Sequence, residues 1–403
     1  MALPSPRLRI SEQTVKKIWP FSFYFLYFAG IASFAPYMVL YYQSVGLTGA
    51  QIGVLTGITP LVTMFSVPFW TGLADSTNRH RLIMSVAMLV GIAILLIFPY
   101  LHTYPRILIV VIVFFAFFTS VVAFSDSATM LMLGERKELY GRIRLGGTLG
   151  FGLVATLAGI LIEDYGLQIA FWSAAFFFFL SFLISLKLAY GHGIEKETAN
   201  WKRLPELLKN PHWVIFMVLA FTSGVAFAAW NVYFFPFMEE LGAKESAMGL
   251  ALTIGTIVEI PVMLFVNRLI VRYKSYGLLV FALVFTGLRM LLYAVALTPT
   301  FVLFVQILNG VSFPILFVAG VSYADELAPK GMHTTAQGLF NAMVSGIGSA
   351  TGGFLGGLLL AQIGGRGLFL VVGVAVFFVL IAVTLIRRKL PPEQTTSSTM
   401  MPG

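Results

Sequence analysis

The chain of 403 residues has no cysteine and few charged side chains. Without cysteine it can form neither a disulfide framework nor a thiolate zinc site. Charged residues make up 11% of the chain, whereas a soluble globular protein has about a quarter. So little charge cannot coat a water-exposed surface of this size. The composition therefore excludes an ordinary soluble domain.

Apolar residues account for 58% of the chain, and the mean hydropathy is +0.90. They fall in blocks of roughly twenty residues, the length at which an α-helix crosses a hydrocarbon core ~30 Å thick. The alternating pattern of a membrane β-barrel is absent. Because backbone groups in lipid must be satisfied within the element, the blocks predict membrane-spanning helices.

Turn-forming and charged clusters divide the chain into twelve predicted spans. They are 19–43, 50–73, 82–101, 106–131, 143–162, 168–190, 212–237, 247–267, 275–296, 300–323, 334–361 and 367–387. The first block is too long for a cleaved signal peptide and ends without a small-residue cleavage site. The sequence thus predicts an all-α membrane protein of twelve transmembrane helices, with both termini on one side.

Lysine and arginine are distributed unequally between the two sets of loops. Of the 26 basic residues, one set of loops holds only Arg106, Lys244 and Arg366, and Arg289 lies within a span. All the others lie on the side of the termini. Because basic loops stay cytoplasmic, both termini are predicted to be cytoplasmic, in a plasma membrane. This distribution explains the net charge of +9 without a nucleic-acid partner.

The long central loop separates six predicted spans from six. We predict an N-terminal six-helix bundle at 1–190, a cytoplasmic linker at 191–211, a C-terminal six-helix bundle at 212–390 and a disordered tail at 391–403. In the linker, Trp201, Leu204 and Leu208 would share one face of a short helix on the membrane surface. The alternative is an ordinary polar linker.

The two halves carry corresponding features about two hundred residues apart. Residues 72–81 after the second span correspond to residues 267–274 after the eighth, and both segments are rich in basic side chains. Glycine-rich stretches at 146–150 and 346–348 also correspond. Such a repeat implies two related bundles about a pseudo-two-fold axis, with the substrate site between them.

Two motifs carry a family resemblance. Residues 72–81 (Gly-Leu-Ala-Asp-Ser-Thr-Asn-Arg-His-Arg) resemble the loop motif of the major facilitator superfamily, with Asn78 where the motif usually has glycine. Asp126 followed by residues 140–151 (Tyr-Gly-Arg-Ile-Arg-Leu-Gly-Gly-Thr-Leu-Gly-Phe) is similar to the lactose permease-like branch. That branch also holds phenylpropionate permeases and nucleoside–proton symporters. Further matches lie at 24–28, 51–53 and 336–341, so the resemblance spans nearly the whole chain.

The resemblance implies a substrate site. In lactose permease-like proteins, the residues matching Asp126 and Arg144 hydrogen-bond the substrate, and an aromatic residue at the position of Phe151 stacks on it. A carboxylate and a forked guanidinium can hold several hydroxyls or one carboxylate. The alternative is a structural ion pair without substrate contact. Arg142 is expected at the inner face, against lipid phosphate or the motif loop.

Two further ionisable residues lie in the middle of spans, where charge is costly and marks function. Glu259 is in span eight and Arg289 in span nine, within reach of each other. A change in their pairing would load or release a proton, and Asp126 is a third candidate for proton coupling. Arg289 matches the helix-nine arginine of the permeases, but span ten lacks their histidine and glutamate. The alternative is a fixed buried salt bridge.

An inner gate is predicted from Asp75, Arg79 and Arg81, together with Arg142. The Asp75 carboxylate could meet a helix N-terminus, whose dipole favours an anion. Positive-inside topology alone would also explain the two arginines, but not Asp75. Asp325, after span ten, is either its analogue or a solvated cap.

Other polar and small residues in the spans could contribute to a site or simply pack between helices. Four side chains could line the cavity: Trp230, Asn231 and Tyr233 in span seven and Tyr27 in span one. The alternative for each of the three aromatic residues is packing in the core. The glycine-rich stretches at 146–152 and 348–357 lack the preceding strand and lysine of a phosphate loop, so we predict close helix packing there. The histidines have no ligand spacing. We therefore expect no metal and no cofactor.

The leading hypothesis is proton-coupled uptake of a small polar solute such as a sugar, a nucleoside or an aromatic carboxylate, by alternating access. The alternatives are a proton-antiport exporter of amphipathic drugs and a non-transporting membrane receptor. The sequence shows neither a nucleophile with its base nor a set of metal ligands, so an enzyme is not expected. A monomer is expected, because every helix can pack within one chain.

Overall fold

A computed structural model describes residues 6–191 and 203–391, and every regular element in this part of the chain is helical. The helices are α1 (Pro6–Phe34), α2 (Met38–Ser44), α3 (Gly49–Thr77), α4 (His80–Ile97), α5 (Tyr104–Phe118), α6 (Ser120–Leu133), α7 (Tyr140–Tyr165), α8 (Gln168–Ser185), α9 (Leu204–Leu208), α10 (Pro211–Glu240), α11 (Glu245–Tyr273), α12 (Ser275–Val295), α13 (Pro299–Leu327), α14 (His333–Asn341) and α15 (Ser349–Arg387). A π-helical turn, Ala342–Gly348, joins α14 to α15.

Eleven helical stretches in the described residues are long and apolar enough to cross a membrane. The first ten match the first ten predicted spans, within a few residues at most ends. The eleventh, His333–Arg387, has 55 residues, which at 1.5 Å per residue is about 80 Å. It contains the predicted spans eleven and twelve. Gly364 interrupts it with a non-helical backbone (φ 69°, ψ 177°), a conformation that glycine adopts without steric cost.

The described helices form two compact units. The first contains α1, α2, most of α3 and α4 to α8; the second contains α9, α10, most of α11 and α12 to α15. Two segments belong to the opposite unit. Ile52–Pro60 of α3 is part of the second unit, and Gly242–Thr256, which includes the start of α11, is part of the first.

The ends of α3 follow from local sequence. The Thr48 hydroxyl oxygen accepts a hydrogen bond from the backbone N–H of Gln51 (3.3 Å). In return, the backbone N–H of Thr48 donates to Gln51 Oε1 (2.9 Å). This capping box satisfies backbone donors that the first turn leaves free. The helix ends at Asn78, which has left-handed backbone angles (φ 56°, ψ 27°). Asparagine tolerates that region better than other non-glycine residues, which explains how it can replace the motif's usual glycine.

The glycine-rich stretches serve helix packing, as predicted. A Cβ atom on Gly146 of α7 would lie 2.7 Å from the Phe21 carbonyl oxygen of α1. One on Gly352 of α15 would lie 2.6 Å from the Val225 carbonyl oxygen of α10. Only glycine permits backbones to approach this closely, so these positions are helix contacts and not phosphate loops.

The predicted linker contains a short helix, α9, in which Leu207 is buried and Leu208 is exposed. Leu207 packs where α9 contacts α10, whereas Leu204 is half-buried, so a membrane-facing side with Leu204 and Leu208 stays a prediction. Trp201 and the tail beyond residue 391 lie outside the described residues.

Candidate functional site

The first unit holds a charged cluster built from three helices. Arg144 Nη1 on α7 donates to Asp126 Oδ1 on α6 at 2.5 Å, and the Tyr24 hydroxyl on α1 donates to the same oxygen at 2.6 Å. Thr129, one turn after Asp126, donates to the Tyr24 hydroxyl at 3.3 Å. We call Tyr24, Asp126, Thr129 and Arg144 the Asp126 cluster. The structure thus brings Asp126 and Arg144 together as an ion pair, which both the predicted substrate site and its structural alternative allow.

The geometry of the cluster leaves it open to a ligand. The Asp126 and Arg144 side chains are each 35% exposed. Their bond joins one guanidinium nitrogen to one carboxylate oxygen, rather than using the parallel two-bond fork that arginine can form. Arg144 also lies over the Tyr24 and Phe28 rings, at 5.1 and 5.4 Å. Because intramembrane charges face a wet cavity or the bundle interior, the cluster can offer hydrogen bonds to a polar solute.

The two aromatic residues predicted near Asp126 have different positions. Phe151 is half-buried on α7, seven residues after Arg144 and therefore about two turns along the same face. Tyr27 is 3% exposed and stacks on Phe23 and Phe118, with ring centroids 5.8 and 5.5 Å apart. The expectation that Tyr27 lines an open cavity is wrong, because its ring is enclosed by other aromatic rings of the unit's core.

The second unit holds a buried polar cluster around Arg289. Its Nη1 donates to Asn309 Oδ1 on α13, and the guanidinium lies over the Trp230 ring of α10 at 4.9 Å. Tyr293, one turn after Arg289 on α12, is also close, at 6.0 Å from ring centroid to guanidinium. Gln306 lies one turn before Asn309 on α13. We call Trp230, Arg289, Tyr293, Gln306 and Asn309 the Arg289 cluster.

Several polar atoms of the Arg289 cluster have no hydrogen-bond partner within the described chain. They are Trp230 Nε1, Arg289 Nε, the Tyr293 hydroxyl and both amide atoms of Gln306. Gln306 is completely buried. An unpartnered buried polar group costs about 1–3 kcal/mol, so several in one place require an explanation. A water molecule or a bound solute would satisfy them.

Glu259 does not pair with Arg289 in the structure. Glu259 is half-buried on α11 and has no ion pair or hydrogen bond among the described residues. Arg289 instead contacts Asn309 of α13, to which it donates a hydrogen bond, and Trp230 of α10, whose ring lies beneath the guanidinium. The expected Glu259–Arg289 ion pair is therefore absent from the part of the chain that the structure describes, although both residues lie in the second unit.

The three candidates of span seven, now part of α10, have different surroundings. Trp230 belongs to the Arg289 cluster. Asn231 is exposed on α10, without a partner among the described residues. Tyr233 is buried, where its hydroxyl lies 2.9 Å from Thr56 Oγ1 and donates to the Gly353 carbonyl. Tyr233 is therefore a packing residue.

Sequence reasoning missed Tyr293, Gln306 and Asn309. A signal was present: Gln306 and Asn309 are two amides three residues apart in an otherwise apolar span, where each unpaired amide is costly. Their spacing places them on one face of α13.

Among the predicted gate residues, the Asp75 carboxylate lies at a helix N-terminus, as expected, but forms no ion pair with Arg79 or Arg81 in the described chain. Asp75 Oδ1 lies 2.8 Å from His80 Nε2, at the first residue of α4, and Arg81 donates to the Leu186 carbonyl at the end of α8. Neither Arg79 nor Arg81 forms an ion pair within the described chain. Asp325 is comparable to Asp75, since its Oδ1 lies 2.9 Å from His333 Nδ1 at the start of α14. Arg142 is exposed on α7.

In the described residues, no group of three or more His, Asp or Glu side chains could hold a metal ion. The two polar clusters instead offer hydrogen-bond donors, acceptors and aromatic faces. Such groups fix an organic solute within a bundle of membrane-spanning helices. The fold and the clusters together define a polytopic membrane transporter.

Comparison with known proteins also indicates a membrane transporter. A profile described as MFS_1 like family matches residues 18–371, so the chain belongs to this family of major facilitator transporters. It is 29% identical to the maltose permease of Geobacillus stearothermophilus over 377 residues, covering 91% of this chain and 94% of that protein. It is 23% identical to the multidrug resistance protein MdtG of Escherichia fergusonii over 385 residues, covering 92% and 94%.

A crystal structure of nucleoside transporter NupG has the same fold. It superposes with a TM-score of 0.81 at 17% identity, covering 93% of this chain and all of that one. The resemblance to the major facilitator superfamily that the motifs carry is therefore confirmed.

Proposed function

We propose that this chain is a secondary active transporter that takes up a small polar organic solute, of the sugar or nucleoside class, together with protons. The observation that carries the proposal is the Asp126 cluster. It places a carboxylate, a guanidinium and two hydroxyls together within the membrane-spanning helices. Charge-assisted hydrogen bonds of this kind suit a solute with several hydroxyls.

The Arg289 cluster supplies a second set of solute-contacting groups. Its unpartnered amide, indole and hydroxyl atoms match the donors and acceptors of a sugar or a nucleoside. The Trp230 ring offers a flat face for stacking against a sugar or a base. The similarity to a maltose permease and the fold shared with a nucleoside transporter support the same solute classes.

Proton coupling is proposed for two carboxyl groups. Asp126 shares its Oδ1 between Tyr24 and Arg144, so a solute that takes over one of these bonds would change the balance that keeps Asp126 ionised. Glu259 lies in a span without a cationic partner among the described residues, and such a carboxyl group is suited to carry a proton.

We further propose the topology that the sequence predicts. The break at Gly364 would divide His333–Arg387 into two crossings, giving twelve in all. The basic loops would then place both termini in the cytoplasm, with the protein in the plasma membrane. The bundles at 1–190 and 212–390 would work by alternating access, as a monomer.

Counterflow exchange tests the choice of solute without requiring a proton gradient. Proteoliposomes loaded with unlabelled maltose or uridine receive the same labelled compound outside, and empty liposomes provide the background. We expect accumulation with one of these two polar classes. Accumulation of neither, with exchange of an amphipathic cation instead, would contradict the proposal.

The second candidate function is export of amphipathic compounds. Two observations favour it: the similarity to MdtG and an apolar cavity of about 680 Å³ lined by Pro261, Phe265, Phe281 and Ile315 in the second unit. Because this cavity has no charged lining residue, it would suit an apolar ligand but gives no means of recognising a sugar.

A further inference from the structure

A second cavity lies in the first unit, away from both polar clusters. It has a volume of about 980 Å³ and is formed by the start of α4 and the residues that follow α8. Its lining includes Arg79, Arg81, Ser85, Leu186 and Tyr190. None of these residues contacts the Asp126 cluster, so solute recognition does not explain the cavity.

Among the residues that the structure describes, two arginines line the cavity without a balancing carboxylate. Arg79 and Arg81 are exposed and have no carboxylate partner within the described chain, since Asp75 is directed to His80 instead. Arg81 is held at the cavity by its bond to the Leu186 carbonyl. Two guanidinium groups without an acidic partner among the described residues are suited to an anion, and to phosphate oxygens in particular.

The polar wall opposite the arginines is also fixed. The Tyr190 hydroxyl donates to the Ser185 carbonyl at 2.8 Å and lies 3.1 Å from Met84 Sδ. Burial raises the pKa of Tyr190 to about 12. The hydroxyl is uncharged at physiological pH, as an ordinary tyrosine is, and does not compete with an anion for the arginines.

Apolar surface continues from the cavity along the membrane. Leu82, Val86 and Leu89 form an exposed row on α4 at helical spacing. Phe179 and Leu183 of α8, with Leu186 just after it, form a second exposed row, and α4 and α8 pack against each other. Rows at this spacing face one direction. A ligand that filled the cavity with its anionic end could lay a hydrocarbon chain against them.

We propose that this cavity binds an anionic phospholipid of the cytoplasmic leaflet, with its phosphodiester on Arg79 and Arg81 and an acyl chain along the α4 and α8 rows. The leaflet follows from the proposed topology, but the binding site itself does not depend on it. A free phosphate ion shares the headgroup chemistry and would not need the apolar rows.

The test uses the purified full-length chain in detergent, titrated with dioleoyl phosphatidylglycerol or dioleoyl phosphatidylcholine and followed by native mass spectrometry. Wild-type protein should bind the first phosphatidylglycerol molecule more tightly than phosphatidylcholine. Each basic residue near an anionic lipid contributes about fivefold in affinity. The R79Q/R81Q variant should therefore lose about 25-fold.

Three controls make the outcome decisive. R136Q/K137Q removes two exposed charges that do not line the cavity and should bind as wild type does. R79K/R81K keeps the charge and should retain the preference for phosphatidylglycerol, which separates lost charge from lost folding. Inorganic phosphate should not displace the lipid at equal concentration. Equal losses in the two glutamine variants, no preference between the lipids, or displacement by inorganic phosphate would each overturn the proposal.

Discussion

Asp126 is held by two donors on a single oxygen, and this arrangement is exchangeable. Tyr24 and Arg144 both donate to Oδ1, and the cluster is partly exposed. A solute hydroxyl can replace either donor without leaving the carboxylate unpaired. A purely structural ion pair would be expected to be enclosed and saturated, so the geometry favours a role in binding.

Replacement of Asp126 by asparagine should weaken solute binding while preserving side-chain shape. The charge-assisted hydrogen bond is worth about 1.5–3 kcal/mol, so the concentration for half-maximal counterflow should rise about 10- to 150-fold. Asp164→Asn, which removes an exposed acid near the end of α7, is the matched control and should behave as wild type. Unchanged counterflow in Asp126→Asn would remove this residue from the site.

Gln306 provides a test in which stability and function should change in opposite directions. Its amide is completely buried without a partner in the described chain. Gln306→Met keeps the length of the side chain and removes the cost of about 1–3 kcal/mol for an unpartnered polar group. The melting temperature of the solute-free protein should therefore rise, while counterflow should fall about tenfold or more.

Asn341, an exposed amide at the end of α14, is the comparison: Asn341→Leu should change neither property by as much. A lower melting temperature for Gln306→Met would mean that the amide is satisfied in the solute-free protein, and the argument for a ligand there would fail.

The sequence could identify the charged residues of the site but not all of their partners. Asp126 and Arg144 were predictable because charge in an apolar span is conspicuous. The partner of Arg289 was not, because the rotation of each helix decides which neighbours face it. Hydropathy contains no information on that rotation. Asn309 and Trp230 therefore surround Arg289 where Glu259 was expected.

At the scale of elements, the helix ends and the glycine contacts follow from local chemistry. The Thr48–Gln51 capping box and the left-handed Asn78 define α3 at both ends. Within the second unit, the start of α3 approaches α15 so closely that Gly53 leaves no room for a side chain. The glycine-rich pattern predicts such contacts, but which helix each glycine meets is apparent only from the structure.

Two glycines of α3 should respond oppositely to alanine. A Cβ on Gly53 would lie 2.6 Å from the Phe354 carbonyl oxygen, whereas one on Gly72 would meet no atom within 4 Å. Gly53→Ala should lower stability by about 1–3 kcal/mol, the usual cost of overpacking. Gly72→Ala should raise it by about 0.5–1 kcal/mol, because alanine is the better helix former. Thermal unfolding in detergent measures both; a milder effect at Gly53 than at Gly72 would contradict the close approach.

A salt bridge just before α11 should be insensitive to pH near neutrality and should be lost in strong base, as it is in acid once Glu163 is protonated. Lys244 Nζ lies 2.8 Å from Glu163 Oε1, and this hydrogen bond with the carboxylate raises the pKa of Lys244. A lysine with a raised folded-state pKa stabilises the fold fully below its ordinary pKa, about 10.4, and loses that contribution above it. Melting temperatures of wild type and Lys244→Gln should therefore differ by a constant amount from pH 6 to 9 and converge above pH 10.5. A difference that vanished near neutrality would contradict the pairing.

At the scale of the whole molecule, composition and hydropathy predict a helical membrane protein and ten of its spans. The count of twelve could not be read from the helices alone, because α14, the π-helical turn and α15 form one continuous stretch of 55 residues. Only the non-helical backbone at Gly364 marks where such a stretch can turn.

Labelling of single cysteines should resolve the topology, and the absence of natural cysteine makes the background clean. Arg366→Cys, just after the break, should react with a membrane-impermeant maleimide added to intact cells. Lys330→Cys, between α13 and α14, should react only after permeabilisation. Both positions are exposed. The same accessibility at both positions would mean that Gly364 does not divide two crossings.

Proton-coupled uptake of a polar solute changes the external pH, and this change can be measured without a substrate label. Lightly buffered, de-energised vesicles containing the protein receive maltose, uridine or an amphipathic cation, with Asp126→Asn vesicles beside them. Our account predicts external alkalinisation with one of the two polar solutes and none in the variant. Acidification on addition of the amphipathic cation, with no response to either polar solute, would contradict it and indicate export instead.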